Sequence, residues 1–226
     1  MTKKTKITIA TFLFLVVSAT DIWAVITGND ILRTFAKPLI LTFLAVVYLV
    51  SVKKANKWFV VGLFCSFLGD VFLLSSEADF FMYGLGSFLL AHIMYIKITA
   101  GFLKTPSKSS ILMASIPFVI FFAGLLFLIK ENVGEMLVPV IVYGVTIATF
   151  GAVALLNYIG EKSTENLWLL LGAIIFIASD GMISINRFYE PSELNGLLIM
   201  LTYIIAQYLI CKAMIVKSNS KTTTFK

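Results

Sequence analysis

The chain has 226 residues, of which 59% are hydrophobic and only 13% are charged, and its formal net charge is +6. A soluble domain is about 45–50% apolar and about 25% charged, because polar surface must cover its core. The composition therefore excludes a soluble enzyme, a disordered chain and a disulfide scaffold. It predicts a polytopic membrane protein.

Eight apolar stretches follow one another, and each is long enough to cross a hydrocarbon core of about 30 Å as a helix. They are 7–27, 35–52, 58–75, 80–101, 110–129, 136–158, 166–186 and 193–216. The first resembles a signal peptide, but it contains Asp21 and lacks a clean cleavage site, so we expect a retained helix. Because the connections between these stretches are short, we expect helices that are consecutive in the sequence to pack as antiparallel neighbours. The prediction is an all-α membrane bundle with a single eight-helix domain, 1–217, and a polar cytoplasmic tail, 218–226.

Basic residues are distributed unevenly between the two sets of connecting segments. The larger set holds Lys3, Lys4, Lys6, Lys53, Lys54, Lys57, Lys104, Lys108, Lys162, Lys217, Lys221 and Lys226. The opposite set holds only Arg33, Lys37, Lys130 and Arg187. Because basic segments remain in the cytoplasm, both termini are expected there, which requires an even number of spans. Orientation in a membrane explains the charge better than nucleic acid does. We expect a multi-pass protein of a bacterial plasma membrane.

Three acidic residues, Asp21, Asp70 and Asp180, fall well inside the predicted spans. Each costs roughly 2.5–3.5 kcal/mol at a helix centre on insertion scales, so we expect each to face the bundle interior or a wet cavity. Each lies about 7–9 Å before the predicted outer end of its helix. A shared pocket that opens toward the outer leaflet is therefore expected. For Asp21, a structural hydrogen bond to a neighbouring helix is an equal alternative.

Further polar side chains accompany these aspartates. Ser66 precedes Asp70 by one turn, and Ser184 and Arg187 follow Asp180 by one and two turns. The remaining candidates are His92 and Tyr95 in the fourth span, Tyr203 and Gln207 in the eighth, and Lys37 before Pro38 at the predicted start of the second. His92 suits an interhelical hydrogen bond or a proton donor. Arg187 and Lys37 suit either snorkelling to the interface or binding of a phosphate.

Ligands for a metal are too few in this sequence. It contains one histidine and two cysteines, Cys65 and Cys211, which form no CxxC pair. A zinc or disulfide framework is therefore not expected.

Three segments carry these polar residues in a characteristic order. They are FLGDVFLL at 67–74, FFMYGLGSFLLAH at 80–92, and GAIIFIASD at 172–180, which continues to Asn186-Arg187-Phe188. Weaker similarities lie at Lys37-Pro38-Leu39, at Pro139-Val140 with Tyr143, and at Tyr203 with Ala206-Gln207. Together they cover about residues 35–210 and resemble the YhhN family of eight-span membrane proteins, whose characterised members are lysoplasmalogenases. Gly181 departs from the small polar residue expected there.

The resemblance implies cleavage of the vinyl ether bond of a lysoplasmalogen by water, without a metal or organic cofactor. The products are a fatty aldehyde and a glycerophospho-alcohol. This chemistry requires an acid that protonates the outer alkene carbon and a charge that stabilises the resulting oxocarbenium ion, much as in two-carboxylate glycosidases. Asp70 and Asp180 suit that division, with His92 as a third catalytic candidate. Which aspartate is the acid remains open.

The implied partners are a lysophospholipid, water and membrane lipids. Arg187 and Lys37 would meet the phosphate near the pocket mouth, and the alkenyl tail would run deeper, past His92. The other expected substrate-binding residues are Asp21, Ser66, Tyr95, Ser184, Tyr203 and Gln207.

Other functions compete with this one. Buried carboxylates and a histidine also describe a proton relay, so a proton-coupled transporter of a lipid or small molecule is the alternative, although no repeat symmetry favours it. A non-catalytic lipid-binding protein is a further hypothesis. A zinc-dependent lipid amidase needs about three histidines. An intramembrane aspartyl protease needs a Gly-x-Gly-Asp motif, in which Phe67 replaces the first glycine.

Overall fold

A computed structural model describes residues 1–75 and 77–220, and within them it contains eight α-helices and no strand. The helices are α1 (Lys3–Thr27), α2 (Asp30–Ser51), α3 (Lys57–Phe72), α4 (Ala78–Ala100), α5 (Lys108–Ile129), α6 (Leu137–Gly160), α7 (Thr164–Phe188) and α8 (Glu193–Ser220). A 3-10 turn at Gly134–Met136 precedes α6. The predicted all-α bundle is confirmed, with its eight helices in the predicted order.

Seven of the helices in the described part of the chain are long and apolar enough to cross a membrane. The protein is therefore an integral, multi-pass membrane protein. The exception is α3, whose 16 residues extend only about 24 Å. It ends at Phe72 rather than at the predicted residue 75. The N–H groups of Leu74 and Ser75 bond to carbonyls three residues back, which tightens the chain into a turn.

A polar side chain caps the start of five of the described helices, including Thr2 before α1. Asn29, Asn56, Ser107 and Ser163 each accept a backbone N–H of the first turn of the helix that follows. The Asn29 cap starts α2 at Asp30, well before the apolar stretch predicted from residue 35. Lys37 and Pro38 consequently lie inside the helix rather than at its start, and the sequence prediction was wrong on this point.

Helix packing forms a ring. The pairs α1–α2, α3–α4 and α7–α8 pack most extensively, while contacts of α2 with α3, α4 with α6, α6 with α7 and α8 with α1 close the circle. Helix α5 lies outside this ring against α6 and, more weakly, α7. Only Ala114, Phe118 and Ile129 of α5 are buried, which agrees with a lipid-facing position.

The end of α8 is longer than predicted. Helix α8 continues to Ser220, so residues 218–220 of the predicted tail are helical. Ser218 is within hydrogen-bonding distance (2.9 Å) of the Tyr48 hydroxyl, and Asn219 donates to the Ser51 carbonyl, which ties this end to α2. The rest of the tail, 221–226 with Lys221 and Lys226, lies outside the described residues. The cytoplasmic position of the termini stays a prediction.

Candidate active site

Asp70 lies in the last turn of α3 and is paired with a lysine inside the bundle. The Lys37 ammonium on α2 lies 3.8 Å from one carboxylate oxygen, and the Tyr203 hydroxyl on α8 donates to the other at 2.7 Å. Asp70 is 2% exposed and Lys37 is 4% exposed. Lys37 is thus enclosed with Asp70, not placed at an open mouth as the sequence suggested. The ammonium offsets part of the free-energy cost of burying the carboxylate.

The polar network around Asp70 extends through α8 to α4. The Gln207 amide donates to the Tyr203 hydroxyl at 3.4 Å, and the Tyr95 hydroxyl donates to the Gln207 carbonyl oxygen at 3.2 Å. Ser66 is buried one turn before Asp70 on α3. The predicted stripe of Tyr203 and Gln207 therefore faces the predicted residues of α3 and α4. We call Asp70, Lys37, Tyr203, Gln207 and Tyr95 the Asp70 centre.

Asp180 on α7 has a simpler environment. The Tyr143 hydroxyl on α6 donates a short hydrogen bond to its carboxylate. Within residues 1–75 and 77–220, Asp180 makes no ion pair. Ser184, one turn later, donates to the Asp180 backbone carbonyl at 3.2 Å and not to the carboxylate. A carboxyl group in an apolar site without a cation is favoured in its protonated form.

His92 on α4 extends the hydrogen bonding of Asp180. Its Nδ1 lies 2.9 Å from the Phe88 carbonyl oxygen and 3.5 Å from the Tyr143 hydroxyl. Its Nε2 has no hydrogen-bond partner among the described residues, and its ring packs against Phe176 at 4.7 Å. We call Asp180, Tyr143 and His92 the Asp180 centre. His92 reaches Asp180 only through Tyr143.

Aromatic rings lie between the two centres. Phe88 and Phe176 each pack edge-on against Tyr203, with ring centroids 5.9 and 5.5 Å away. Gly69, beside Asp70, lets the Phe88 ring approach the α3 backbone in the space that a Cβ would fill. Phe176 also packs against His92, so its ring lies between the Asp70 centre and the Asp180 centre. Each of the two predicted catalytic aspartates thus has its own tyrosine, Tyr203 for Asp70 and Tyr143 for Asp180.

An apolar pocket of about 710 Å³, including its open part, adjoins the Asp180 centre. It lies between the N-terminal half of α6 and the C-terminal half of α7, with α4 on one flank and α5 on the other. Its polar side chains are Tyr143, Asp180 and Ser184. Among its apolar lining are Phe81 and Phe88 of α4, Phe118, Phe121, Phe122 and Leu125 of α5, Val140 and Ile147 of α6, and Ile177 and Phe188 of α7.

Several predicted residues lie away from this pocket. His92 is fully buried and does not line it, so the expected path of a tail past His92 is closed. Arg187 is exposed at the end of α7, with its guanidinium 5.0 Å from the Phe81 ring centroid. Asp21 on α1 is fully buried, and neither carboxylate oxygen has a hydrogen-bond partner among the described residues.

The three aspartates do not share one distance from their helix ends. Asp21 lies six residues before the end of α1, Asp70 two before the end of α3, and Asp180 eight before the end of α7. The predicted common spacing fails because α3 ends early and α7 continues to Phe188. Asp21 instead lies on α1, which packs extensively against α2, the helix that carries Lys37.

Tyr143 is the functional candidate that the sequence analysis did not include among the site residues. A tyrosine in an apolar span usually packs in the core, and only its weak family similarity singled it out. Among the described residues, no group of three histidine, cysteine or acidic side chains is arranged to hold a metal ion.

The fold and the site define a polytopic membrane protein with two buried carboxyl centres, one of which, at Asp180, adjoins an apolar pocket. A comparison with protein families matches residues 32–214 to the YhhN family, and the chain belongs to that family. Both catalytic candidates, Asp70 and Asp180, lie inside the matched region.

Several relatives carry the name lysoplasmalogenase. The chain is 30% identical over 191 residues to "Lysoplasmalogenase" of Mycobacterium bovis (strain ATCC BAA-935 / AF2122/97), covering 82% of this chain and 71% of the relative. It is 29% identical over 175 residues to "Lysoplasmalogenase TMEM86A" of Homo sapiens, covering 72% and 67% respectively. No solved structure gives a significant match.

Proposed function

We propose that this chain is a lysoplasmalogenase, a hydrolase that cleaves the vinyl ether bond of a lysoplasmenyl phospholipid with water. Family membership and relatives of that name support the reaction class. The observation that carries the proposal is the Asp180 carboxyl group, which lines an apolar pocket, is hydrogen-bonded by Tyr143 and has no ion pair in the described part of the chain.

Asp180 is the acid in this proposal. Its proton passes to the outer alkene carbon, where the π electrons form the new C–H bond. The inner carbon, which bears the ether oxygen, becomes an oxocarbenium ion. The apolar lining favours a neutral carboxylic acid before this step. Tyr143 fixes the orientation of the carboxyl group toward the pocket.

Asp70 supplies the second carboxylate. The Lys37 ammonium lies beside it, so burying this anion costs less free energy than burying an isolated charge. The negative field of the Asp70 carboxylate favours the oxocarbenium ion that forms near Asp180. This division parallels two-carboxylate hydrolysis of acetals, in which one group donates the proton and the other stabilises the cation.

Water completes the reaction. It adds to the oxocarbenium carbon and returns a proton to the Asp180 carboxylate, which gives a hemiacetal. The hemiacetal then breaks its bond to the glycerol oxygen, which takes up a proton while the hydroxyl proton leaves. One water is consumed, and the products are a fatty aldehyde and a glycerophospho-alcohol.

Incubation of the purified protein with a lysoplasmenyl lipid and with its ester analogue tests the proposal. Mass detection should find aldehyde and glycerophospho-alcohol from the vinyl ether alone, and Asp180→Asn should form neither. Cleavage of the ester but not of the vinyl ether would overturn it. Substrate flux in proteoliposomes without product release would instead support a transporter.

A further inference from the structure

A second pocket lies at the opposite end of the bundle from Asp180. Its volume is about 300 Å³, including its open part. The Asp180 pocket uses the N-terminal half of α6 and the C-terminal half of α7, whereas this one uses the C-terminal end of α6 and the N-terminal end of α7. We call it the lysine pocket after two of its lining residues, Lys104, which follows α4, and Lys217, near the end of α8.

Two buried asparagines are part of the lining of the lysine pocket. Asn157 is 5% exposed and Asn166 is 2% exposed. The Asn166 amide nitrogen donates to the backbone carbonyls of Asn157 at 3.2 Å and of Glu161 at 2.8 Å. These bonds fix the orientation of the amide, and its carbonyl oxygen has no hydrogen-bond partner among the described residues. Because a buried acceptor normally has a donor, Asn166 suits a ligand that carries an O–H or N–H group.

The charged side chains of the lysine pocket favour an anion. Lys104, Lys217 and Glu161 line it, so two ammonium groups accompany one carboxylate. The Lys104 ammonium lies 3.6 Å from the Glu161 carboxylate, but the two side chains are 80% and 59% exposed. Water screens such a surface pair and makes it weak, so a phosphate can replace Glu161 as the partner of Lys104.

Apolar side chains beside the lysines favour a lipid over a free anion. Phe102, Leu103 and Leu156 are also part of the lining, and the Lys217 ammonium lies over the Phe102 ring at 4.5 Å. The pocket lies at the ends of membrane-spanning helices, where lipid headgroups meet the protein. On the predicted topology this end is cytoplasmic, the side on which basic pockets between spans bind anionic headgroups.

We propose that the lysine pocket binds an anionic phospholipid of the bilayer that carries a hydroxyl on its headgroup, as phosphatidylglycerol does. The phosphate lies between the Lys104 and Lys217 ammonium groups, and the headgroup hydroxyl donates to the Asn166 side-chain oxygen. Binding displaces the Glu161 carboxylate from Lys104. This lipid is distinct from the substrate at the Asp180 pocket, and its binding does not depend on the proposed function.

Native mass spectrometry of the purified full chain in detergent tests the site. The chain is titrated with phosphatidylglycerol, with phosphatidylcholine and with phosphatidylmethanol, which is anionic but lacks the headgroup hydroxyl, all with the same acyl chains. One phosphatidylglycerol should bind about tenfold or more tighter than phosphatidylcholine. It should bind about threefold or more tighter than phosphatidylmethanol. Equal affinity for phosphatidylglycerol and either other lipid would overturn the proposal.

A matched pair of double variants tests the two lysines. Lys104→Met combined with Lys217→Met removes both ammonium groups of the pocket. Lys108→Met combined with Lys162→Met removes two exposed lysines at the same end that do not line it. The first should weaken phosphatidylglycerol binding by about tenfold or more, and the second by less than about threefold. Equal losses would show that the lipid follows overall charge, which would refute the site.

Two single variants test the remaining contacts. Glu161→Gln removes the carboxylate that competes for Lys104, so it should tighten phosphatidylglycerol binding, and weaker or unchanged binding would contradict the placement of the phosphate. Asn166→Ala should remove the preference for phosphatidylglycerol over phosphatidylmethanol and keep the preference over phosphatidylcholine. If Asn166→Ala does not fold, the wild-type lipid comparison still decides whether the hydroxyl is recognised.

Inorganic phosphate separates a lipid site from a site for a free anion. At millimolar concentration it should leave phosphatidylglycerol bound to the wild-type chain, because it lacks the apolar part that contacts Phe102, Leu103 and Leu156. Displacement of the lipid by inorganic phosphate would assign the pocket to a free anion and overturn the proposal.

Discussion

The two aspartates at the centre of this protein have the same side chain but different surroundings. Asp70 accepts from Tyr203 and pairs with Lys37 in a network that reaches four helices. Asp180 has the Tyr143 hydroxyl and lines an apolar pocket. This difference is the basis of the proposed roles, in which Asp70 serves as the anion and Asp180 as the neutral acid, because a nearby ammonium favours the former and an apolar wall the latter.

The largest effect is expected from removing either carboxyl group. Asp180→Asn deletes the proposed acid, and Asp70→Asn deletes the proposed anion beside the oxocarbenium ion. Each should lower turnover by about 10²–10⁴-fold, the range of general acid catalysis. The double variant should be little worse than either single variant, because both residues serve one chemical step. Aldehyde release by the purified variants measures this.

Asp30→Asn provides the control for these variants, since Asp30 is an exposed aspartate at the start of α2. It should retain wild-type turnover, and thermal unfolding in detergent should show all the variants folded. Near-normal turnover of either Asp70→Asn or Asp180→Asn would break the assignment of paired roles.

The Lys37–Asp70 pair can be tested against a surface pair of the same type. Lys37→Met leaves Asp70 buried without its cation and should cost about 3–5 kcal/mol of stability. Lys104→Met removes the exposed partner of Glu161 and should cost about 0–1 kcal/mol. Denaturation of each variant in the same detergent gives the comparison.

Restoring charge balance separates stability from activity at this pair. Lys37→Met combined with Asp70→Asn should recover much of the lost stability but none of the turnover. Equal stabilities of Lys37→Met and Lys104→Met would show that the buried pair does not hold Asp70 in the way described.

The two tyrosines should differ in importance. Tyr143→Phe removes the hydroxyl that orients the Asp180 carboxyl group, whereas Tyr203→Phe leaves Asp70 with Lys37. A lost buried hydrogen bond costs about 1–3 kcal/mol, so Tyr143→Phe should lower kcat by about 10–100-fold. Tyr203→Phe should cost less than about tenfold. A larger loss from Tyr203→Phe would reverse the ranking of the two centres.

The predicted topology, with both termini in the cytoplasm, places the Asp180 pocket in the half of the membrane that faces outward. In a background lacking Cys65 and Cys211, single cysteines at 77–79 or 130–135 should be labelled from outside intact cells, whereas cysteines at 53–57 should not. The reverse pattern would place the pocket in the cytoplasmic half.

Sequence reasoning found the helices and the aspartates because apolar runs and charges inside them are both strong local signals. It misplaced the ends of α2 and α3, where an Asn29 cap and a tight turn after Phe72 outweigh hydropathy. It also left out Tyr143 and placed Lys37 at a mouth. The surroundings of Tyr143 and of Lys37 depend on which helices pack against each other in the ring. The pattern of a single sequence does not show that packing.

Turnover in heavy water most directly tests the claim that Asp180 donates a proton to carbon. An acid that protonates carbon in heavy water leaves a deuterium bonded to that carbon. The aldehyde, trapped at once by reduction to the alcohol, should carry one deuterium on the carbon next to the aldehyde group, and a normal solvent isotope effect should accompany chemistry that limits the rate. The ester analogue has no alkene carbon and should remain intact. Aldehyde formed without deuterium at that carbon would contradict proton donation by Asp180.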